Sequence, residues 1–321
     1  MIRCTTYLNG TIRDDLPLAE ISDVIPKAEN QVWLDLEGEP PERMQLLKEE
    51  FGFHDLSLED CVKAGQRAKV DEYPGYYFLV FYSPYWDAAH HRIRARELHC
   101  FVGPNYLVTA HREPIHAIQT ARQRWGQHAA MIPQGIGFLV YTIMDSVIDE
   151  YFPLLQQLDA SIEALEERLF QPQNEQKPDD LFRLKKNLLY LRKILAPKRD
   201  IFNALARRDQ PLFSAQTQFY LRDVYDHVIR LIEQVDALRE MATSLLDTYL
   251  SAVSNKTNTI MKSLTGVATV LMMLGLIAAV YGMNFRHMPE LDWPYGYPAA
   301  VTLMGLCGFI MALYFRRKRW F

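Results

Sequence analysis

The run Tyr281-Gly282-Met283-Asn284 carries the clearest chemical signal in the chain, because it closes a long apolar segment with a polar amide. A second short motif, Met288-Pro289-Glu290-Leu291, follows a few residues later. The amide of Asn284 offers a neutral carbonyl oxygen, and Gly282 lets a helix end without a side chain at its mouth. The pattern indicates a pore entrance, while an ordinary helix C-terminus, where Gly and Asn are also favoured, is the simpler alternative.

Two uncharged segments are long enough to cross a membrane as helices. Ser263 to Phe285 is a run of about 23 residues, and Tyr295 to Phe315 is a run of about 21. At about 1.5 Å per residue, a helix of either length spans the hydrocarbon core of a bilayer. The loop between them has about ten residues, so the spans form a hairpin with both ends on one side.

Basic residues predict the orientation of this hairpin. The run Arg316-Arg317-Lys318-Arg319 follows the second span directly, and Lys256 and Lys262 precede the first. Positive residues beside membrane spans stay on the cytoplasmic side. We therefore expect a two-span protein of the cell (inner) membrane, with both termini in the cytoplasm and Asn284 facing outward.

Composition and short motifs exclude several other classes of protein. The formal net charge of −4 argues against a nucleic-acid binder. The four cysteines are scattered without a Cys-x-x-Cys pair, which indicates reduced thiols rather than a disulfide framework or a zinc site. The N-terminus lacks the pattern of a signal peptide. No Gly-x-x-x-x-Gly-Lys-Ser/Thr motif occurs, so no nucleotide partner is expected.

The first part of the chain is predicted to form a cytoplasmic α/β domain with a mixed sheet. Gln31–Leu36 and Tyr76–Tyr82 are β-branched or aromatic runs typical of strands. A Gly103-Pro104-Asn105 turn indicates a hairpin between Ile93–Val102 and Tyr106–Thr109. Two stretches, Pro41–Phe51 and Pro114–Gln127, are predicted to be helices.

The chain becomes helical after the predicted sheet. Tyr141–Phe170 is predicted to be an acidic helix with a kink at Pro153, and Asp179–Asp200 a basic one. A turn over Gln171–Pro178 would join them into an antiparallel hairpin. The full organisation is an α/β domain over 1–132, a helical hairpin over 133–210, a stalk helix over 211–262, a pore-lining transmembrane helix over 263–285, an external loop over 286–294, a second transmembrane helix over 295–315 and a cytoplasmic basic tail over 316–321.

A very long helix is predicted to lead into the first span. Neither Gly nor Pro occurs between Pro211 and Gly266, and counted to Asn284 the helix has about 70 residues, or roughly 100 Å. Apolar residues recur at steps of three and four, the pattern of a helix packed along other helices. These residues are Leu221, Val224, Val228, Leu231, Val235, Leu238, Ala242, Leu245, Tyr249 and Ala252.

A second, acidic stripe runs along the same stalk at steps of seven residues. It comprises Asp226, Glu233, Glu240 and Asp247. Such a stripe is usually a solvated outer face, and pairing with Lys185, Lys186 and Arg192 on the basic helix is the alternative.

The segment from Tyr281 to Pro298, with its Gly-Met-Asn and Met-Pro-Glu-Leu motifs, closely resembles the signature loop of the CorA family of magnesium and cobalt channels. The resemblance, within the two-helix Gly-Met-Asn superfamily, is strongest over the C-terminal third and continuous elsewhere. It implies a homopentameric funnel that conducts Mg²⁺, also Co²⁺ and with Ni²⁺ as a further candidate, down the membrane potential. Gly282, Met283 and Asn284 would form its selectivity filter. Mg²⁺ holds its waters tightly, and a ring of neutral amides can accept hydrogen bonds from that shell.

The resemblance also implies roles for residues away from the filter. Asn258, Met261, Leu264 and Met272 match pore positions, with Met261 and Leu264 near an apolar constriction that can act as a gate. Met273 stands where a Pro is common in the family, and Gly275 where a Thr can occur.

The resemblance further implies a regulatory site for Mg²⁺ between subunits. Asp223, in the run Leu221-Arg-Asp-Val-Tyr-Asp-His227, matches one family ligand, and Asp87, after an aromatic strand, maps to the other. Two carboxylates brought together across an interface repel unless a divalent cation lies between them. Internal Mg²⁺ would then close the channel. Around a pentamer, Arg316, Arg317, Lys318 and Arg319 would form a positive collar at the cytoplasmic exit.

Two other functions are weighed against this prediction. A zinc transporter of the same superfamily, possibly proton-coupled, is disfavoured because Met-Pro-Glu-Leu resembles the magnesium branch and no His/Cys cluster lies in the spans. A membrane-anchored cytoplasmic enzyme or sensor would need convergent polar groups. The only dense candidates are His54, Asp55, Glu59 and Asp60, which are predicted to begin a short helix with an Asp N-cap, so no enzyme is expected.

Overall fold

The computed structural model describes residues 2–8, 11–14, 16–17, 20–25, 27, 29–38, 41–63, 65–127, 135–169, 178–206, 212–285, 288–289 and 293–320. The chain divides into two compact units, Met1–Ser244 and Leu245–Phe321. The first unit is an α/β structure followed by helices. The second consists of two apolar helices, the first of which continues from the first unit.

Seven strands and three short helices make up the first part of the described chain, and helices alone follow β7. The elements are β1 (Ile2–Leu8), β2 (Thr11–Asp14), α1 (Ile21–Val24), β3 (Gln31–Glu37), α2 (Pro41–Phe51), α3 (Asp55–Val62), β4 (Lys69–Tyr73), β5 (Tyr76–Asp87), β6 (Arg92–Val102), β7 (Tyr106–His111), α4 (His116–Gln127), α5 (Ile136–Asp149), α6 (Tyr151–Leu169), α7 (Pro178–Leu205), α8 (Ala215–Tyr281) and α9 (Gly296–Arg317).

The strands form one mixed sheet, as the sequence predicts. Their order is β2-β1-β3-β7-β6-β5-β4. Strands β3 and β7 pair in parallel, and the other neighbours pair antiparallel. The predicted hairpin is confirmed, with Val102 of β6 opposite Leu107 of β7. Strand β5 continues to Asp87, beyond the predicted end at Tyr82.

Helices cover both faces of this sheet. On one face, Leu47 of α2 and Leu58 of α3 join the main hydrophobic core. On the other face, Trp33 of β3 meets Trp125 of α4 edge to face, with ring centroids 6.1 Å apart. Because successive side chains of a strand point to opposite faces, a sheet covered on both sides needs nearly continuous apolar strands. This explains the composition of β3 and β5.

The helices after the sheet differ in detail from the prediction. A break at Glu150 separates α5 from α6, so the predicted kink at Pro153 is wrong. Pro153 lies in the first turn of α6, where the missing N–H costs no hydrogen bond. Helix α7 passes through Pro197 and ends at Leu205 rather than Asp200. Residues 171–177 of the turn predicted over 171–178 lie outside the described residues, and Pro178 is the first residue of α7.

Lys198 of α7 is fully buried. Its Nζ donates a hydrogen bond of 2.7 Å to the carbonyl of Tyr82 in β5. The same Nζ lies 5.1 Å from the ring centroid of Phe81 and 5.2 Å from that of Tyr151. Burial lowers the pKa of Lys198 to about 7, although the negative charge of Glu150 acts in the opposite direction. A buried ammonium group of this kind lowers the free energy of unfolding of the protein.

A second buried polar network lies near the carboxyl ends of β3 and β7. Asp35 Oδ1 accepts a hydrogen bond from Thr109 at 2.7 Å and lies 3.2 Å from His111 Nε2, while Arg122 donates to Oδ2 at 3.3 Å. His111 Nδ1 lies 2.7 Å from the carbonyl of Glu113. Burial lowers the pKa of His111, but the hydrogen bond and charge of Asp35 outweigh it and raise the pKa. Both ring nitrogens face acceptors, so His111 is an imidazolium here.

Helix α8 confirms the predicted long helix. It has 67 residues, which corresponds to about 100 Å along its axis. The apolar seam is buried from Leu221 to Leu245, whereas Tyr249 is half-buried and Ala252 is exposed. Both α8 and α9 contain a segment long and apolar enough to cross a membrane.

Candidate functional site

The Gly282-Met283-Asn284 motif lies directly after the end of α8 at Tyr281. The Gly282 N–H donates to the carbonyl of Ala278 at 3.0 Å, which completes the last turn. Gly282 does not adopt a positive φ, and a Cβ added there would meet nothing closer than 3.4 Å. The backbone of one chain therefore does not itself require glycine at this position.

Four predicted pore residues occupy one side of α8. Steps of three, three and eight residues place Asn258, Met261, Leu264 and Met272 within an arc of about 120°. All four side chains are exposed in the single chain. The exposed fraction is 54% for Met261, 61% for Leu264 and 73% for Met272. Apolar side chains with so much exposed surface require another apolar surface, either lipid or further helices.

The predicted basic collar begins in the last turn of α9. All four basic side chains of the run Arg316–Arg319 are exposed. Arg319 has a left-handed φ of 57°, which turns the tail back so that the N–H of Trp320 donates to the carbonyl of Phe315 at 3.0 Å. The carbonyl of Trp320 accepts a hydrogen bond of 2.6 Å from Ser263 Oγ. The chain thus attaches its basic tail to α8, close to Met261 and Leu264 in sequence.

Asp87 lies at the end of β5 among basic residues of the following turn and strand. Its Oδ2 is 2.8 Å from His90 Nδ1, 3.1 Å from Arg94 Nε and 3.7 Å from Arg92 Nε. Desolvation raises the pKa of Asp87, but hydrogen bonds from His90 and the charge of Arg94 outweigh it and lower the pKa. Asp87 is therefore ionised and already balanced by intrachain partners.

Asp223 is exposed on α8 and lies near acidic groups of α5. Burial, followed by the charges of Asp145 and Asp223, raises the pKa of Tyr141 to about 12. Burial also raises the pKa of Asp145, and Asp149 and Asp223 add to that effect. Asp145 could not be found from the sequence, because an acid in a predominantly apolar helix gives no sign of which neighbours it will meet.

One chain does not bring the two predicted regulatory acids together. Among the described residues, the contacts of Asp87 are to β6 and the turn before it, and no contact joins it to Asp223. Nowhere in the described residues is a group of three or more His, Cys, Asp or Glu side chains placed to hold a metal ion. The prediction that they meet across subunits stays a prediction.

The basic helix does contact the stalk, but through a different acid from those predicted. Arg192 Nε lies 2.9 Å from Oδ1 of Asp236, and Arg239 Nη1 of the same helix as Asp236 lies 2.8 Å from the same oxygen. Asp236 is not part of the acidic stripe. Of the four stripe acids, Glu240 lines a surface cavity together with Lys185.

The residues considered for an enzyme site are engaged in local structure. His54, rather than Asp55, is the N-cap of α3, because His54 Nδ1 accepts a hydrogen bond of 3.1 Å from the N–H of Leu56. Asp55 pairs with Lys48 at 2.6 Å. The remaining two acids also form ion pairs, Glu59 with Lys63 and Asp60 with Lys69. Four of the residues predicted for the external loop, Arg286, His287, Glu290 and Asp292, lie outside the described residues.

The fold defines a class: proteins in which an α/β domain is followed by two helices long and apolar enough to cross a membrane. The structure superposes on the complete structure of the CorA magnesium transporter from Methanocaldococcus jannaschii with a TM-score of 0.84. That match covers 100% of this chain and 99% of the other, at 24% sequence identity.

The sequence comparisons identify the family. Residues 28–317 match the model of the CorA-like Mg²⁺ transporter protein family. The chain is 35% identical over 305 residues to the cobalt/magnesium transport protein CorA of Thermotoga maritima, covering 94% of this chain and 87% of the relative. It is 28% identical to the protein of that name from M. jannaschii, covering 90% and 91%. The chain belongs to the CorA-like family.

Proposed function

We propose that the chain is a magnesium channel that also passes Co²⁺, with Ni²⁺ as a further candidate ion. The observation that carries the proposal is the position of Gly282-Met283-Asn284 at the end of a membrane-spanning helix, in a chain whose family is named for Mg²⁺ transport. The T. maritima relative is named a cobalt/magnesium transport protein, which supports the two ions together. The membrane potential supplies about 4.6 kcal/mol per 100 mV for a divalent cation moving inward.

Asn284 has the chemistry of a selectivity ring for a hydrated cation. Mg²⁺ gives up its waters reluctantly, so a filter that strips them would be slow. A neutral amide oxygen accepts a hydrogen bond from the hydration shell without binding the ion too tightly to release it. Gly282 has no side chain, so it would leave room at the mouth of the pore for the amides of neighbouring subunits.

The channel is proposed to be a homopentamer in the lipid bilayer of the cell (inner) membrane, because two spans cannot enclose an ion path. The exposed line of Met261, Leu264 and Met272 would face the shared axis, with Asn258 on the cytoplasmic side. A ring of apolar side chains can exclude water and so close the path to ions. The exposed basic run Arg316–Arg319 would surround the cytoplasmic exit, and both termini would lie inside.

Asp87 and Asp223 are proposed to hold a regulatory Mg²⁺ between subunits. Both are carboxylates at or near the surface of the cytoplasmic unit, and the lowered pKa of Asp87 keeps it ionised. A divalent cation between them would offset their repulsion and fix the closed arrangement. When cytosolic Mg²⁺ falls, the site would empty and the subunits would loosen.

Ion flux into proteoliposomes under an inside-negative potential tests the conduction proposal. Asn284→Ala should abolish Mg²⁺ entry while the assembly stays intact, whereas Asn203→Ala, an exposed amide on α7, should conduct like the parent. Equal Mg²⁺ flux in the parent and Asn284→Ala would reject the ring. Proton-dependent Zn²⁺ flux without Mg²⁺ flux in the parent would favour a zinc transporter instead.

A second flux measurement tests the regulatory site. Asp223→Ala should make the channel less sensitive to Mg²⁺ on the cytoplasmic side, because one carboxylate of the site is lost. Asp226→Ala removes an exposed acid three residues further along α8 and serves as the matched control. Unchanged inhibition in Asp223→Ala would remove this residue from the sensing role.

A further inference from the structure

A basic groove lies between the β5–β6 hairpin and α7, in the cytoplasmic unit. Its volume is about 670 Å³, within the roughly 300–1,000 Å³ that is typical of small-molecule sites. Six of its lining residues are basic and none is acidic: His90, His91, Arg92, Arg94, Arg183 and Lys186.

The sequence brings these cations together from two separate segments. Arg92 and Arg94 alternate along β6, so they point to the same side of the strand. Arg183 and Lys186 are three residues apart on α7, so they share one helix face. Like charges so arranged repel each other, and a fold keeps such a cluster only when its scaffold enforces it or an anion offsets it.

The scaffold of the groove is fixed by a buried amide. Asn187 of α7 is buried, and its Oδ1 accepts a hydrogen bond of 3.0 Å from the N–H of Ile93. Its Nδ2 lies 3.5 Å from the carbonyl of His91. His91 itself adopts a left-handed φ of 48°, which is uncommon for a residue other than glycine. The hairpin is therefore clamped to α7 in a set geometry.

The carboxylates near the groove do not balance its cations. Asp87 pairs with Arg94 and approaches Arg92, and Asp180 pairs with Arg183. Among the described residues, Lys186 has no carboxylate partner. Four permanent cations thus face two carboxylates, which leaves an excess of positive charge before the two histidines are counted.

We propose that this groove binds a polyphosphate anion, either inorganic polyphosphate or the triphosphate of a nucleotide. Arginine forks and a lysine suit phosphate oxygens, because each supplies charged N–H donors in several directions. Tyr190, which also lines the groove, offers a ring against which a nucleotide base can stack. The sequence predicted no nucleotide partner because it lacks a Gly-x-x-x-x-Gly-Lys motif. That motif binds phosphates mainly through backbone N–H groups, whereas in this groove side chains would bind them.

Equilibrium binding to the purified full-length protein tests the proposal, with ATP and inorganic tripolyphosphate as probes in a buffer free of divalent cations. Lys186→Glu should weaken the binding of tripolyphosphate about tenfold, or roughly 1.4 kcal/mol. Lys185→Glu is the matched control, because Lys185 neighbours it in sequence but lines a different cavity with Arg192 and Asp236. Binding should also weaken as salt is raised.

The outcomes separate the two sources of phosphate and can overturn the proposal. Tighter binding of ATP than of tripolyphosphate, reduced by Tyr190→Ala, supports a nucleotide. Equal binding of both supports recognition of the phosphate chain alone. No saturable binding of either probe at millimolar concentration would overturn the proposal. So would equal loss in Lys185→Glu and Lys186→Glu, since the binding would then reflect net charge and not this groove.

Discussion

Replacing Lys198 by methionine should stabilise the first unit, Met1–Ser244, at neutral and mildly acidic pH. Burial holds the pKa of this lysine at about 7, against 10.5 for a free lysine. The difference of about 3.5 corresponds to about 5 kcal/mol at roughly 1.4 kcal/mol per pKa unit. That is the order of the free energy by which the buried ammonium group disfavours folding. The pKa of about 7 already reflects the attraction between Lys198 and the negative charge of Glu150, so no further correction is needed for it.

The direction in which stability changes with pH depends on whether the folded or the unfolded chain binds the proton of Lys198 more tightly. Between about pH 7 and 10.5 the unfolded chain binds the proton of Lys198 and the folded chain releases it, so stability from this group rises with pH. The full penalty is present below about pH 7 and disappears above 10.5. Methionine removes it at low pH. The carbonyl of Tyr82 would keep a partner, because the hydroxyl of Tyr151 also donates to it at 3.1 Å.

The expected gain is a few kcal/mol. Allowing about 1.5 kcal/mol for imperfect packing of the new thioether leaves roughly 3 kcal/mol at pH 6. For a unit of this size, that is a rise in Tm of roughly 6–12 °C. Thermal unfolding of the full-length protein in one detergent, at pH 6 and at pH 10, measures it. Lys193→Met is the control, since Lys193 is exposed on the same helix.

The pH dependence is the sharper part of this test. Lys198→Met should be more stable than the parent at pH 6 and should lose most of that advantage at pH 10. If Lys198→Met were destabilised equally at both values, Lys198 would be a neutral packing residue, and the assignment of a buried charge would be refuted.

Two further substitutions test the packing and the polar core of the same unit. Gly137→Ala in α5 should lower stability by about 1–3 kcal/mol, because a Cβ there would lie 2.6 Å from side-chain atoms of Thr217 in α8. Gly126→Ala, with nothing within 4 Å, should not, and thermal unfolding compares them. Asp35→Asn should cost about 3–5 kcal/mol, because His111 would remain buried without its counter-charge. It should also remove a stability contribution that is present at low pH and lost as pH rises through the raised pKa of His111, which parallel unfolding at pH 6 and 9 would show.

The sequence predicted the long helix and the strands because their signals are local. The absence of Gly and Pro after Pro211 permits an unbroken helix, and the heptad seam requires one. The seam also continues beyond the residues that one chain can bury. Tyr249 is half-buried and Ala252 exposed, although both fit the repeat. A periodic pattern states that a face is buried but not whether the covering surface belongs to the same chain.

Features that depend on distant partners were missed or misplaced. A Pro in a helical pattern suggested a kink at Pro153, but three residues upstream a break at Glu150 turns Pro153 into an ordinary first-turn residue. Arg192 pairs with Asp236 and not with an acid of the acidic stripe, because the packing of α8 against α7 determines which carboxylate lies within reach. The basic groove likewise combines β6 and α7, which are about 90 residues apart in sequence.

The intrachain partners of Asp87 bear on how a regulatory cation would bind there. A divalent ion that binds this carboxylate has to displace the hydrogen bond from His90 and the ion pair with Arg94. The net free energy of binding is therefore the attraction of the ion minus that of these intrachain partners. A sensor needs its affinity for the ion weakened in this way, because it must release the ion when the cytosolic concentration falls. Arg94 also lines the basic groove. A polyphosphate bound there would compete with Asp87 for Arg94 and leave that carboxylate freer for the cation, so the anion and the cation would favour each other's binding.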